Sequence, residues 1–106
     1  MRASDPLGEC TGFDWDESNA AKNWDRHRVT PEEAVDVFFQ EPLVMRSDAF
    51  HSSGERRFRV LGQTARGRLL FVAFTVRRKL IRVISARDMN RKEVEEYRRH
   101  EKGSRI

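Results

Sequence analysis

The stretch Leu69-Leu70-Phe71-Val72-Ala73-Phe74 is apolar at every position, so a strand built from it has to be covered on both faces. It is bracketed by two turn signals, Ala65-Arg66-Gly67 and Arg77-Arg78-Lys79. Before the first turn, Phe58 and Val60 alternate with Arg57, Arg59 and Leu61, the pattern of a strand with one basic face. After the second, Leu80 to Arg87 reads as another strand. Strict alternation there puts Arg82, Ile84 and Ala86 on one face and Ile81, Val83, Ser85 and Arg87 on the other. Connections this short predict an antiparallel meander with the apolar strand at its centre. The rest of the chain must supply the layers that cover it.

Two helices precede the meander. Asp16 and Glu17 form an acidic first turn, and Ala20, Trp24 and His27 follow at helical spacing, predicting a helix to about residue 27 whose inner face they form. Phe13-Asp14-Trp15 before it alternates like a short strand, and both Trp15 and Trp24 are expected in the core. Thr30-Pro31-Glu32-Glu33 is the clearest local signal, a threonine cap, a proline at the first helical position and a glutamate closing the capping box. The second helix would bury Ala34, Val35, Phe38 and Phe39 and end before Pro42. Leu43-Val44-Met45 can start a strand, and residues 47–54 read as a loop. At the C-terminus Asn90 and Glu93 form a second capping box, opening a helix to about Glu101 with Val94 and Tyr97 as its apolar pair. The class is therefore α+β, two N-terminal helices on a small antiparallel sheet and one C-terminal helix, in a single domain over residues 12–102. Residues 1–11 read as a flexible extension and 103–106 as a tail.

Charge is divided unevenly along the 106 residues: residues 1–50 carry five basic and eleven acidic side chains, a net of −6, and residues 51–106 carry sixteen and six, a net of +10. Such a basic half suits a polyanion, since Lys and Arg neutralise phosphates and release counterions. Mutual attraction of the halves within the fold is the alternative. Cys10 is the single cysteine, which excludes an intrachain disulfide framework or a cysteine-based zinc site and points to a reducing, cytoplasmic setting. No apolar run is long enough for a membrane span.

Phosphate-binding glycine loops, nucleophile elbows and paired metal-binding histidines are all missing from the sequence, so no cofactor or metal is expected. The strand arginines Arg57, Arg59, Arg68, Arg82 and Arg87 are the informative residues, because guanidinium groups held on adjacent strands can converge on a phosphate. RNA cleavage by the 2′-hydroxyl needs little more, namely a base, an acid and cations that stabilise the phosphorane. Glu55, His27, Tyr97 and Ser85 are the candidates for proton transfer. Each has a structural reading as well. His27 can cap its helix, Ser85 can bond a neighbouring backbone group, and Tyr97 can anchor the last helix.

These motifs occur in a familiar order. Phe13-Asp14-Trp15-Asp16, Asn23-x-x-Arg26-His27, Pro31-Glu32-Glu33-Ala34, Gly54-Glu55-x-Arg57-Phe58, Gly67-Arg68 and Arg82-x-Ile84-Ser85-Ala86-Arg87 together resemble the BrnT family of bacterial type II toxins. The resemblance implies a RelE-like fold and a ribonuclease that blocks translation without metal. It also implies neutralisation by a BrnA-like ribbon-helix-helix antitoxin, with operator DNA bound only through the complex. It places Arg57, Arg82, Ser85, Arg87, Glu55 and His27 at catalytic positions, and Arg59, Arg68 and Tyr97 are expected to contact RNA. A catalytically silent module that binds RNA or antitoxin is the competing reading. Arg28 departs from the family, which commonly has Gly there. An arginine in that place must accept a left-handed conformation at a cost of about 1 kcal/mol or use another geometry.

Overall fold

The computed structural model describes residues 7, 10–46, 49–50 and 56–103. In chain order the elements are β1 (Gly12–Phe13), α1 (Glu17–His27), α2 (Pro31–Val37), β2 (Val44–Met45), β3 (Ala49–Phe50), β4 (Arg56–Gln63), β5 (Leu69–Arg77), β6 (Leu80–Asp88) and α3 (Arg91–Gly103). The strands form a sheet in the order β1-β6-β5-β4-β2, with β3 paired separately to β4. β5 is indeed central, antiparallel to β4 and β6. The α+β class holds, but the sheet is mixed rather than antiparallel, because β1 runs parallel to β6. The meander leaves the outer edge of β6 unpaired, and an open edge accepts whichever segment reaches it. Gly12 and Phe13 pair there, flanked by bonds from the Thr11 N–H to the Lys79 carbonyl and from the Asp14 N–H to the Ile81 carbonyl. β3 corrects the loop expected over 47–54: Ala49 and Phe50 pair with Arg57 and Arg56.

The sheet separates two apolar clusters. On one face Val29, Ala34 and Val37 of the helical hairpin pack onto Phe58, Val60, Leu70, Val72, Phe74, Ile81, Val83 and Ala86. Leu7 and Cys10 also pack against this cluster. Phe38 bridges Phe13 and Phe74 edge-on, at centroid separations of 5.4 and 5.1 Å. On the other face α3 covers Val44 and Leu61 with Tyr97, beside Leu69, Phe71 and Met89. The Tyr97 hydroxyl donates to the Pro42 carbonyl at 2.7 Å, which satisfies the one polar atom of a fully buried ring.

Both capping boxes are formed. Thr30 Oγ1 accepts from the Glu33 N–H while Glu33 Oε1 accepts from the Thr30 N–H, and Asn90 and Glu93 make the same reciprocal pair. α1 begins one residue later than its acidic turn predicts, since Asp16 is the cap and accepts from the Ser18 N–H. Its inner face also differs from the spacing argument. Asn23 is buried, and Trp24 is 45% exposed rather than in the core. Arg28 explains Trp24: it takes the left-handed conformation (φ 55°, ψ 41°) and lays its guanidinium over the indole, 5.1 Å from the ring centroid. A cation held over an exposed ring returns about 0.5–1 kcal/mol, most of the conformational cost. α2 is shorter than predicted. Phe38, Phe39 and Gln40 donate to carbonyls three residues back, which tightens the end of the helix well before Pro42 and leaves Phe39 73% exposed. α2 lies very close to β4 at Gly62, where a Cβ would meet Val37 Cγ1 at 2.5 Å.

The hairpin joining β5 to β6 has two central residues, Arg78 and Lys79, both at positive φ (52° and 66°). This is the primed turn that suits the twist of a two-residue hairpin, built without its preferred Asn-Gly. Replacing the pair by Asn-Gly (R78N/K79G) relieves two left-handed residues, so the variant should be more stable by about 1–2 kcal/mol, read as a higher urea midpoint at unchanged m-value.

Candidate functional site

Strand parity decides which arginines meet. In β5 the residues Val72 and Phe74 face the helical hairpin, so Ala73 and Thr75 face the other way. Thr75 is opposite Arg82, and Ala73 is opposite Ser85, yet Phe74 is opposite Val83. β6 therefore carries one extra residue, Ile84, a β-bulge. The bulge changes the parity of everything after it. Ile81, Val83 and Ala86 are buried on the hairpin side, while Arg82, Ser85 and Arg87 share the opposite face. The strict alternation inferred from sequence is thus overturned at Ile84, and Arg82 stands with Ser85 and Arg87 rather than across the sheet from them.

The neighbouring strand completes the surface. Phe58 and Val60 of β4 are buried under the hairpin, so Arg57 and Arg59 point to the same side as the three residues of β6. Arg59, Ala73 and Ser85 form one row across the sheet and Leu61, Phe71 and Arg87 the next. At the middle of the first row stands the small Ala73, leaving room between arginines on both flanking strands. Among the described residues Arg59 makes no ion pair, the Ser85 hydroxyl has no hydrogen-bond partner, and the buried Arg57 Nε is likewise unpartnered.

Arg82 and Arg87 are held from the edges. Arg82 reaches Asp16 at 3.3 Å and Asp14 at 3.7 Å. Arg87 makes a two-pronged pair with Glu93 of α3 (2.9 and 3.0 Å) and lies over Phe71, 4.1 Å from the ring centroid. Burial works against the Glu93 carboxylate, but its bonds from Arg87 and from the Asn90 N–H outweigh that and hold its pKa below the usual value of 4.5.

The bulge also has a support on the far side of the sheet. Asn23 Oδ1 accepts the Ala86 N–H at 3.2 Å, just past the irregular step. Asn23→Ala would leave that N–H buried without a partner, at a cost of about 1–3 kcal/mol. The expected outcome is a lower thermal midpoint in a chain that still folds.

The other sequence candidates have different positions. Arg68 lies on the hairpin side, bonded to Glu33, to Asp88 and to the carbonyls of His27 and Arg28. It ties α1, α2 and β6 together and is not part of the arginine face. His27 ends α1 on that same side. Tyr97 is fully buried beneath α3 and has no surface to offer RNA. Glu55 lies outside the described residues. No group of three or more His, Cys, Asp or Glu side chains is placed to hold a metal among the described residues.

The family model described as "Ribonuclease toxin, BrnT, of type II toxin-antitoxin system" matches residues 15–93, a span that includes every strand of the arginine face. The chain belongs to the BrnT toxin family. Among solved structures, the 1.1 Å crystal structure of the Brucella abortus ribonuclease toxin BrnT is similar in fold, with a TM-score of 0.57 at 17% identity over 76% of this chain and 99% of that one. No curated protein matches. In this BrnT chain Ile84, Asn23, Phe71 and Glu93 are the residues whose part in the site sequence reasoning missed. One signal was present. The adjacent apolar residues Val83 and Ile84 interrupt the alternation of β6, a break of period that is compatible with a bulge.

The carboxylates of this network set an acid limit. Burial raises the Glu33 pKa, but the Thr30 N–H and Arg68 bring it below 4.5; for Asp88 the Arg68 bond is the main cause of a pKa below 3.8. Groups depressed in the folded state add stability that is complete above their unfolded pKa and lost as pH falls through the folded one. Thermal midpoints should therefore be flat above pH ~5 and fall below pH ~4. Glu33→Gln should lower the plateau and make the acid limb shallower.

Proposed function

We propose that this chain is an endoribonuclease toxin that cleaves RNA by internal attack of the ribose 2′-hydroxyl, without metal, on the sheet face bearing Arg57, Arg59, Arg82, Ser85 and Arg87. The observation that carries the reading is the parity change at Ile84, which brings the β6 residues onto the same face as the β4 arginines. Family membership supports ribonuclease activity and an antitoxin partner. In the reaction the 2′-oxygen forms a bond to phosphorus and the bond to the 5′-oxygen breaks. One proton leaves the 2′-hydroxyl and one is delivered to the departing oxygen. The products are a 2′,3′-cyclic phosphate and a 5′-hydroxyl.

The arginines stabilise the charge that builds on the phosphorane oxygens, where pre-aligned donors are most effective. Ser85 and Glu55, which directly precedes Arg56 in sequence, are the groups proposed to move protons. Arg82 and Arg87 are already oriented by Asp14, Asp16 and Glu93, so RNA would meet guanidinium groups that need little rearrangement. A BrnA-like ribbon-helix-helix antitoxin would neutralise the toxin by covering this face, and operator DNA would be bound only through that complex. Arrest of translation in the cytoplasm is the proposed consequence of RNA cleavage, in a RelE-like arrangement of strands and helices.

Purified protein incubated with RNA should generate cyclic-phosphate ends equally well with and without EDTA, and RNA with 2′-O-methyl groups should resist cleavage. Arg82→Ala or Arg87→Ala should each lower kcat by about 100-fold or more in variants whose fold is verified by circular dichroism. Loss of activity in EDTA would overturn the metal-free mechanism. Full activity in both variants would remove the site assignment. Wild-type protein that binds RNA without cutting it would favour the silent module.

A further inference from the structure

The outer surface of α3 carries a second cluster of cations that takes no part in the site described above. Arg91, Lys92, Arg98 and Arg99 are exposed and lie, with Glu95, at helical spacings that share one face. That face is opposite the side that buries Glu93 and Tyr97, so it points away from the sheet into solvent. The other acids of the helix are already engaged, Glu93 with Arg87, Glu96 with Arg46 and Glu101 with Arg98. Arg91, Lys92 and Arg99 make no ion pair among the described residues.

Fold stability does not explain this arrangement. Arg91 and Lys92 occupy the first turn of α3, where the helix dipole disfavours cations. The cluster also sits on the arginine-bearing side of the molecule, since α3 packs on that sheet face and joins it directly through Glu93 and Arg87. α3 is therefore a direct neighbour of Arg87 on that side of the sheet. From Arg91 to Arg99 the helix rises about 12 Å, room for more than one phosphate of an extended single strand.

We propose that the outer face of α3 is a binding track for the sugar-phosphate backbone of the substrate RNA, separate from the residues that act on the scissile bond. The inference rests on the ribonuclease reading and adds to it a single-stranded RNA segment extending beyond the cleaved bond. Contacts of this kind carry no base preference and make binding salt-dependent. Arg91, Lys92 and Arg99 grip the strand and Arg98 assists from within its pair with Glu101.

The test compares the full-length R91Q/K92Q/R99Q variant with K22Q/R26Q/R66Q, which removes the same charge from exposed positions on the helical-hairpin side. Glutamine keeps helix propensity, and circular dichroism verifies both folds. Binding is measured with a short single-stranded 2′-O-methyl RNA that cannot be cleaved, over ~50–200 mM salt. For the α3 variant the log–log salt slope should shrink by about two and affinity at ~0.1 M salt should fall about tenfold or more. With cleavable RNA its KM should rise while kcat stays unchanged, and the hairpin-side variant should match wild type. Equal losses in the two variants would reduce the effect to net charge and overturn the track. Unchanged RNA binding in the α3 variant would also overturn it, and a loss only of antitoxin binding would assign the surface to a protein instead. In either case, cleavage that still depends on Arg82 and Arg87 leaves the ribonuclease reading intact, whereas wild-type protein that neither binds nor cleaves RNA defeats both.

Discussion

A strand that is apolar on both faces demands two covers, and the rest of this fold follows from how unequal those covers are. The helical hairpin is the larger and seals one side of β5 with its aromatic bridge through Phe38. On the other side α3 packs with Leu69 and Phe71, and the strand continues past them through Ala73 to Thr75, which is itself buried. Arginines replace aliphatic residues on this stretch of the sheet, and those that are partly buried are paired with acids, as Arg82 is with Asp14 and Asp16 and Arg87 with Glu93, which offsets the desolvation of their charge. A helix that covers only part of a long strand thus leaves a charged platform backed by the core beneath it.

The strands β4, β5 and β6, both capping boxes and the central place of β5 were legible in the sequence, since each depends on local chemistry: alternation, a cap three residues from its partner, a turn between apolar runs. What was not legible depends on contacts made across the fold. Trp24 has the spacing of a core residue, and only the left-handed Arg28 beside it shows why it stays outside. The parallel pairing of β1 is a matter of which edge remained open. Arg68 reads like the other strand arginines, but its position at the start of β5 brings it to the carbonyl end of α1, where it is spent on holding the hairpin in place. An arginine on a strand can serve as a ligand or as a rivet, and sequence spacing does not distinguish the two.

The division of charge between the halves of the chain has two components in space. Part of the basic surplus is neutralised within the fold, as acids of the first half reach across to it: Asp14 and Asp16 to Arg82, Glu33 to Arg68. Mutual attraction of the halves and a free cationic surface are therefore both present, in different places. The acids also hold the arginines in defined poses, which limits the conformational entropy they have left to lose when a phosphate arrives.

The bulge at Ile84 makes the site depend on how a strand is paired and not only on which residues it contains. Were Ile84 to enter the ladder opposite Ala73, every residue beyond it would change sides: Ser85 and Arg87 would turn under the helical hairpin and Ala86 would come out among the arginines. Deleting Ile84 has the opposite effect, since Arg82-Val83-Ser85-Ala86-Arg87 alternates strictly and keeps Arg82, Ser85 and Arg87 on one face with no bulge at all. Among relatives of this chain, two residues with a bulge or one without it between the arginine and the serine are therefore equivalent ways of building the same surface.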